Sequence, residues 1–296
     1  MTPEVAVVIP ARDAAASLPA CLDAVLLQRD APPFVVVVAA DRCRDATVRV
    51  AREHPVRPRV VEVGGPGSYA ARNAGVAATT APLLAFTDAD CRPEPGWLAA
   101  LTRALGSADA VGGAVVAEIR DRPSLWERVD RATYLVQAEL VAEQGFAATA
   151  NLGLTRKAFD RVGGFDAALA SSGDLDMGRR LAAAGLRLVY ADDAQVRHLP
   201  RRTWAEVWRQ QRRLGAGWAQ LGASGRRPVP EPHLHISRDY IAGRMAAAGT
   251  PLASWQLRLV RAWIVAGRRA GYRSAGVTAP RSRDRSPPGR GGTPGP

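Results

Sequence analysis

The most constraining feature of this sequence is a series of short apolar runs, separated by segments with helical spacing. The first four runs are Glu4–Pro10, Phe34–Ala40, Arg59–Val63 and Pro82–Thr87. Strands that are apolar on both faces are typical of parallel sheets covered by helices on both sides. The alternation of strands and helices therefore predicts an α/β fold, with a mostly parallel sheet flanked by helices and right-handed crossovers.

The ends of three runs carry residues suited to ligand binding. Pro10 ends the first run, Asp41 follows the second, and Asp88 follows the fourth. In open α/β sheets, ligands bind beyond the carboxyl ends of the strands. We therefore expect these three residues to converge on one site, although they are far apart in the sequence.

The segment Asp88-Ala89-Asp90 follows the fourth run directly. Alternate residues of an extended chain point to the same side, so the two carboxylates can share one space. A divalent cation carrying a phosphorylated ligand would relieve their repulsion, because hard cations prefer oxygen ligands. A plain turn is the alternative, since aspartates are common in turns.

Composition narrows the partners and the compartment. The 296 residues carry a net charge of +12, which favours anionic partners such as phosphates or an anionic membrane surface. We do not expect nucleic acid as a partner, because no long run of Lys and Arg is present. No apolar run reaches about 18 residues, and the first residues lack the features of a signal peptide. Three cysteines without metal-site spacing predict a reducing, cytoplasmic location.

The second half of the chain predicts further elements and a domain division. A strand over 110–119 contains Gly112-Gly113, one long amphipathic helix covers 123–143, and two short strands cover 186–190 and 195–198. A basic helix over 201–221 carries Trp204, Trp208 and Trp218, which would form a core stripe, line an acceptor channel or touch a membrane surface. We predict a catalytic domain over 1–222, a helical C-terminal extension over 223–273 that begins with a Pro-rich linker, and a disordered basic tail over 274–296.

The order of short motifs resembles the family 2 glycosyltransferases with the GT-A fold, whose sheet is Rossmann-like. The resemblance covers about residues 4–215. It rests on the segments VVIPAR (7–12), DRCRDAT (41–47), ARNAG (71–75), FTDAD (86–90), GGFD (163–166), GDLD (173–176) and His198.

This resemblance implies a binding site for a nucleoside-diphosphate sugar, with UDP favoured. Asp41 would accept the N–H of the nucleobase, beside the backbone of Pro10 and Ala11, and Asp88 would face the ribose next to Ala89. Arg12 would meet phosphate, and Arg72 would face the diphosphate or hold Asp88. An Asx turn at Asp41 and a surface position for Arg72 are the alternatives. The sequence departs from the family at Arg12-Asp13, where the family often has Asn followed by Glu.

The resemblance also implies a metal and a catalytic base. Asp90 would bind a divalent cation and His198 would complete the site, with manganese favoured over magnesium. Asp174 would be the general base, and one base implies inversion of the anomeric configuration. Helix capping explains Asp174 and Asp176 without any chemistry, and a base at a helix N-terminus should have a low pKa. The family often has Glu-Asp where this chain has Gly173-Asp174, so Asp176 is the second candidate.

The basic helix over 201–221 also contains a segment that bears on whether the enzyme is processive. The segment QQRRLG (210–215) only faintly resembles the Gln-x-x-Arg-Trp motif of processive members, so we predict a non-processive enzyme that acts on an unidentified acceptor hydroxyl. We also expect peripheral contact with the inner face of a membrane.

The turn Gly65-x-Gly67-x-x-Ala70 also fits a dinucleotide fingerprint, which predicts an NAD(P)-dependent oxidoreductase as the alternative. A sugar-nucleotide or polyanion binding protein without catalysis is the other alternative.

Overall fold

A computed structural model describes residues 3–65, 67–118, 120–223 and 236–275. Within these residues the strands are β1 (Val5–Ala11), β2 (Phe34–Asp41), β3 (Arg59–Val63), β4 (Leu83–Thr87), β5 (Cys91–Pro93), β6 (Ala110–Ala117), β7 (Asn151–Thr155) and β8 (Leu188–His198). The helices are α1 (Leu18–Leu26), α2 (Thr47–Glu53), α3 (Ser68–Ala77), α4 (Trp97–Leu105), α5 (Leu125–Thr133), α6 (Gln137–Gln144), α7 (Arg156–Val162), α8 (Gly173–Ala183), α9 (Trp204–Ala223), α10 (Arg238–Ala247) and α11 (Ser254–Ser274).

All eight of these strands form one sheet in the order β3-β2-β1-β4-β7-β6-β8-β5. The four strands predicted from the apolar runs are parallel to one another, as expected. The other half is mixed, because β7 runs antiparallel to β4 and β6, while β8 is parallel to β6 and antiparallel to β5. The predicted α/β class with a mostly parallel sheet flanked by helices is therefore correct.

Both faces of the central strands are buried, which explains their continuous apolar character. Val7 packs on one face with α1 and α4, in a core that includes Leu22 and Trp97. Val8 packs on the other face with α3, α7 and α8, in a core that includes Phe159. Adjacent residues of a strand point to opposite faces, so a strand between two helix layers requires apolar residues at every position.

The single helix predicted over 123–143 is wrong, because the chain breaks between α5 and α6. Leu135 adopts a left-handed conformation with φ of 53° at the break. Its side chain packs against the core on the α1 and α4 face of the sheet. Gln137, at the start of α6, is buried and bonds the backbone of Ala148 and Asn151. Side-chain packing and these hydrogen bonds therefore outweigh the helical pattern of the segment.

The two strands predicted over 186–190 and 195–198 are one strand, β8, with a register irregularity against β6 between Gly113 and Val115. The buried Asn151 side chain lies at this point and donates to the backbone oxygens of Ala114 and Ala194, at 2.8 and 2.7 Å. A Cβ on Gly113 would lie 2.4 Å from the Asn151 amide nitrogen. The amide replaces missing ladder bonds, so both strands continue past Gly112-Gly113 and Asp192-Asp193.

The C-terminal helices α10 and α11 pack against α5. A third apolar core joins Val129 and Ala132 of α5 to Ile241 of α10 and Ile264 of α11. The linker predicted within 224–235, and the part of the predicted tail over 276–296, lie outside the described residues. The predicted domain boundaries therefore remain predictions.

Helices α9 and α11 cross closely because glycines lie at their contact. A Cβ on Gly215 would lie 2.0 Å from the Arg268 backbone oxygen, and one on Gly271 would lie 1.8 Å from that of Arg212. Real Cβ atoms do not approach backbone this closely, so larger residues would force the two helices apart.

We expect Gly271→Ala to lower the free energy of unfolding by about 1–3 kcal/mol, the usual cost of overpacking. Gly222→Ala is the matched control. Gly222 lies in α9, and a Cβ added there would have no neighbouring atom within 4 Å. The control should be neutral or stabilising by about 0.5–1 kcal/mol, the helix propensity difference. Urea unfolding followed by circular dichroism measures both, and equal midpoints would contradict the close crossing.

Candidate functional site

A cleft of about 1180 Å³ opens at the carboxyl ends of β1 and β4 and at the start of α8. Helices α5, α6, α9 and α11 contribute its other walls. Most of the residues predicted for the site line this cleft: Pro10, Arg12, Arg72, Asp88, Ala89, Asp90, Asp174 and His198. Residues that were predicted to share one site therefore line one cleft in the structure.

Arg72 holds Asp88, which is one of the two roles considered for it. Its guanidinium, with a side chain only 4% exposed, donates to Asp88 Oδ1 at 2.5 Å. The guanidinium also lies over the Tyr69 ring, 5.6 Å from its centroid. A buried charge needs a counter-charge, so Arg72 fixes the first carboxylate of the Asp88-Ala89-Asp90 segment in the cleft wall.

The second carboxylate lies in a group of potential metal ligands. One ligand atom from each of Asp88, Asp90 and Cys91 lies within 4.8 Å of the others. His198 Nε2 is 3.8 Å from Asp90 Oδ2, because β5 pairs with β8 so that Cys91 faces His198. Sequence reasoning missed β5 and Cys91, since three residues that include a proline carry little strand signal.

The donor set fits a hard divalent cation held mainly by oxygen. Burial, and then the charges of Asp88 and Asp90, raise the pKa of the Cys91 thiol well above its ordinary value. A thiol in this state is a poor ligand, because metals bind the thiolate. The carboxylates of Asp88 and Asp90 and the imidazole of His198 are therefore the groups best suited to hold the ion.

Asp174 lies at the start of α8 and faces the cleft. Its Oδ1 accepts hydrogen bonds from the Leu175 N–H at 3.1 Å and the Tyr69 hydroxyl at 3.4 Å. Burial raises the pKa of Asp174 and outweighs the opposing effects of the Leu175 N–H, Arg72 and Arg213. The low pKa predicted from the helix N-terminus is therefore wrong, because desolvation exceeds the effect of the helix end.

Asp176 takes part in contacts that hold the fold together. It is buried, and its carboxylate binds the Arg180 guanidinium at 2.8 Å, one helical turn away. Arg180 also donates to the backbone oxygens of Val162 and Gly164. Of the two acids considered as base, Asp174 lines the cleft and Asp176 ties α8 to the end of α7.

Asp41 and Ala11 are the two predicted site residues that do not line the cleft. The Asp41 side chain is 3% exposed and lies beneath Arg42, at 3.0 Å, and Arg12, at 3.9 Å. Its Oδ2 is buried without a hydrogen-bond partner. Arg12 does line the cleft, so Asp41 is connected to it through this arginine.

Several groups near the site carried no sequence signal. Tyr69 bonds Asp174 and stacks on Phe165, with ring centroids 5.6 Å apart. Arg201 lies 4.4 Å above the Tyr134 ring and pairs with Asp130, beside His198. Tyrosines and arginines are common surface residues, and only the folded chain shows that these face the cleft.

The three tryptophans of α9 do not share one environment. Trp204 and Trp208 pack on Trp263 of α11, with ring centroids 5.2 and 4.7 Å away. Trp218 lines the cleft and lies under the Arg268 guanidinium, which is 5.1 Å from its ring centroid. Of the roles considered, Trp218 therefore occupies a cleft position and Trp204 a surface position.

Comparison with known proteins identifies relatives of this chain. The family model described as glycosyltransferase like family 2 matches residues 3–217. The chain is 31% identical over 226 residues to glycosyltransferase AglE of Haloferax volcanii, covering 74% of each protein. It is 33% identical over 153 residues to a pre-mycofactocin glycosyltransferase of Mycobacterium tuberculosis, covering 48% of this chain and 32% of that protein.

Two solved structures share the fold. A mannosyltransferase from Pyrobaculum calidifontis, solved with GDP-Man and Mn²⁺, aligns with a TM-score of 0.61 and 21% identity, covering 93% of this chain and 87% of that one. Staphylococcus aureus TarS, solved with UDP, aligns with a TM-score of 0.53 and 14% identity, covering 93% and 91%. These similarities confirm the expected GT-A fold.

We expect Asp174→Asn to raise thermal stability at neutral pH. The raised pKa means that the folded state holds the Asp174 proton more tightly than the unfolded chain does. Stability from this group is therefore present below the ordinary aspartate pKa and is lost as pH rises through the raised value. An asparagine avoids that loss and can still accept the hydrogen bonds from Leu175 and Tyr69.

Asp176→Asn is the matched comparison and should lower the free energy of unfolding by about 1.5–3 kcal/mol, as loss of a charged hydrogen bond does. Thermal unfolding of both variants near pH 7, and again near pH 4, measures the difference. If Asp174→Asn lowered the midpoint as much as Asp176→Asn does, Asp174 would be a structural residue too.

Proposed function

This chain belongs to glycosyltransferase-like family 2 and is a glycosyltransferase, and from that premise we propose the details of its reaction. It moves a sugar from a nucleoside-diphosphate sugar to an acceptor hydroxyl, uses a divalent cation, inverts the anomeric centre and is non-processive. The observation that carries this proposal is one cleft that holds the Asp88, Asp90 and His198 group together with Asp174, the candidate base.

The donor nucleotide binds at the end of β1 and β2. The unbonded Asp41 Oδ2 is the acceptor that a nucleobase N–H would satisfy, once Arg12 and Arg42 move aside. Pro10 and Ala11 supply the backbone edge of this site, and Arg12 is free to turn toward phosphate because its side chain is 52% exposed. Asp88, held by Arg72, faces the ribose beside Ala89. We favour UDP as the nucleotide.

The cation binds at Asp90 and His198, close to Asp88. When bound, a divalent ion neutralises the negative charge that grows on the departing diphosphate. One imidazole among carboxylates favours manganese over magnesium. The solved mannosyltransferase with Mn²⁺ shows that a protein of this fold holds that ion, which supports the choice.

Asp174 removes the proton of the acceptor hydroxyl as that oxygen attacks the anomeric carbon. A raised pKa brings a carboxylate closer to the pKa of an effective general base at neutral pH. The Tyr69 hydroxyl orients the carboxylate, and the positive charges of Arg72 and Arg213 favour its ionised form. One base and no covalent intermediate lead to inversion.

The acceptor enters between α6, α8 and α9, where Trp218 and Arg213 line the cleft. Residues from the segment between about 118 and 172, among them Glu139, Leu140 and Ser171, also line the cleft. None of the helices in the described ranges combines the length and the apolar character needed to cross a bilayer. Peripheral contact with an anionic membrane surface, and a cytoplasmic location inferred from the free cysteines, are part of the proposal.

The oxidoreductase alternative is disfavoured by the position of its fingerprint. The turn at Gly65 and Gly67 follows β3, which is an edge strand of the sheet and not a central one. The helix after it, α3, directs Tyr69 and Arg72 to Asp174 and Asp88. A non-catalytic binding protein is the other alternative, and turnover measurements separate it from an enzyme.

We expect Asp174→Asn to reduce the turnover of the donor sugar by about 10²- to 10⁴-fold, the usual contribution of a general base. UDP affinity, measured by calorimetry with Mn²⁺, should be unchanged. In the wild type, turnover should fall as pH drops through the raised pKa of Asp174, because the base must be ionised. Asp192→Asn, an exposed acid on β8, is the control. Unchanged turnover in Asp174→Asn would exclude Asp174 as the base.

We expect UDP binding to require the cation, and Asp90→Asn and His198→Ala to weaken Mn²⁺ binding about 10- to 100-fold. Loss of a ligand, or of a group that orients one, has this size of effect. Electron paramagnetic resonance of Mn²⁺ with UDP present measures the affinity without turnover, and Asp192→Asn again serves as control. Binding of NAD without any binding of UDP would overturn the proposed donor.

A further inference from the structure

Exposed aromatic side chains collect on the outer side of α9 and α11, away from the cleft. Trp255 is 60% exposed, Trp204 56% and Leu259 48%, which is unusual for such large apolar residues. Trp255, Leu259 and Trp263 follow one another at four-residue intervals, so they form a stripe along α11. Trp204 packs on Trp263 with ring centroids 5.2 Å apart, which extends the stripe onto α9.

The stripe is anchored at Trp263 by several contacts. The indole N–H of Trp263 donates to the Trp204 backbone oxygen at 3.0 Å, and Trp208 packs on Trp263 as well. Trp126 of α5 also lies near Trp263, with the two ring centroids 6.5 Å apart. The Trp204 and Trp263 rings are therefore held in place, which lowers the entropy cost of binding a partner there.

Positive charge surrounds the stripe. α11 carries five arginines and no acidic residue, and α9 carries three arginines and one glutamate. Among them Arg258 and Arg273 are exposed and lie on the same side of α11 as Trp255. We call the surface formed by Trp204, Trp255, Leu259, Arg258 and Arg273 the Trp–Arg face.

We propose that the Trp–Arg face docks the protein onto an anionic lipid bilayer. Tryptophan and leucine on one side of a helix, flanked by arginines, are the features of helices that lie in the membrane interface. Indole rings are favoured at the headgroup level, and each basic residue near the surface adds attraction to anionic lipids. This names the surface and the lipid charge for the peripheral contact in the proposed function.

A second copy of the chain is a poor occupant of this face. A two-fold dimer would place the same patch against itself, so the arginines of both copies would meet without acidic partners. The protein has a net charge of +12, which opposes such an approach further. A bilayer offers both apolar depth for the indoles and negative charge for the guanidinium groups.

Docking would also orient the cleft. Ile264 and Arg268 line the cleft on the side of α11 opposite to Trp255, and Trp218 of α9 lines the cleft beside them. A helix with side chains is about 10–12 Å across, so the acceptor end of the cleft would lie about one helix diameter from the lipid headgroups. This last consequence, unlike the docking itself, rests on the proposed transfer reaction.

Co-sedimentation of the full chain with lipid vesicles tests the proposal. Vesicles of phosphatidylcholine alone are compared with vesicles that contain about one third phosphatidylglycerol, at low salt and at about 0.5 M salt, where surface charges are screened. We expect strong binding only to the anionic vesicles, weakened by salt, with a blue shift of tryptophan emission. Trp255→Ser combined with Leu259→Ser should weaken binding at least about tenfold.

The matched control is Leu26→Ser combined with Leu27→Ser, which removes two exposed apolar residues from the end of α1. Arg258→Glu with Arg273→Glu should also weaken binding at least about tenfold, whereas Arg49→Glu with Lys157→Glu, exposed on α2 and α7, should change it less than about twofold. Circular dichroism verifies that each variant is folded.

Three results would overturn the proposal. The first is equal binding by the Trp–Arg face variants and their controls, and the second is failure of the wild type to bind anionic vesicles. The third is a lipid-free dimer, seen by light scattering, that the Trp255 and Leu259 changes dissociate, because the face would then belong to a second copy. Donor hydrolysis without vesicles should be unchanged in these variants, and its absence in the wild type would count against the proposed reaction, not against docking.

Discussion

The buried ion pair between Arg72 and Asp88 is the contact on which the candidate site depends. It joins α3 to the end of β4, and its guanidinium also lies against Tyr69, which bonds Asp174. Three acids line this part of the cleft, so without a buried positive charge their mutual repulsion would oppose folding. Arg72 is therefore both a structural counter-ion and the link between the nucleotide side and the base side of the cleft.

The same arrangement explains why Asp88 and Asp90 differ. Asp88 is partly covered and its carboxylate is engaged by Arg72, whereas Asp90 is half exposed and lies 3.8 Å from His198 and 4.0 Å from the Cys91 thiol. A carboxylate already bound to a guanidinium shares its negative charge, so the freer Asp90 is the stronger ligand for an incoming cation. The pairing of β5 with β8 contributes to this difference. Cys91, the residue after Asp90, pairs with His198, so the His198 side chain lies beside Asp90.

The sequence predicted the parallel half of the sheet and most of the cleft residues, because both follow from local patterns. Buried parallel strands are apolar throughout, and the ends of such strands meet at one edge. It did not predict β5, the break at Leu135 or the continuous β8. These depend on Asn151, Gln137 and His198, whose side chains form hydrogen bonds or ion pairs with residues distant in sequence. Tyr69 and Arg213 were missed for the same reason, since only the packing of α3 and α9 brings them near Asp174.

Close packing of α9 on α11 lets one pair of helices serve two surfaces. Gly215 and Gly271 allow backbone contact at the crossing, while Trp204 and Trp208 of α9 pack on Trp263 of α11. Trp218, Ile264 and Arg268 then line the cleft, while Trp204, Trp255 and Leu259 face outward. A looser crossing, filled by larger residues, would move the cleft wall away from Asp174 and separate the aromatic groups on α9 from those on α11. The glycines thus couple the shape of the acceptor end of the cleft to the continuity of the Trp–Arg face.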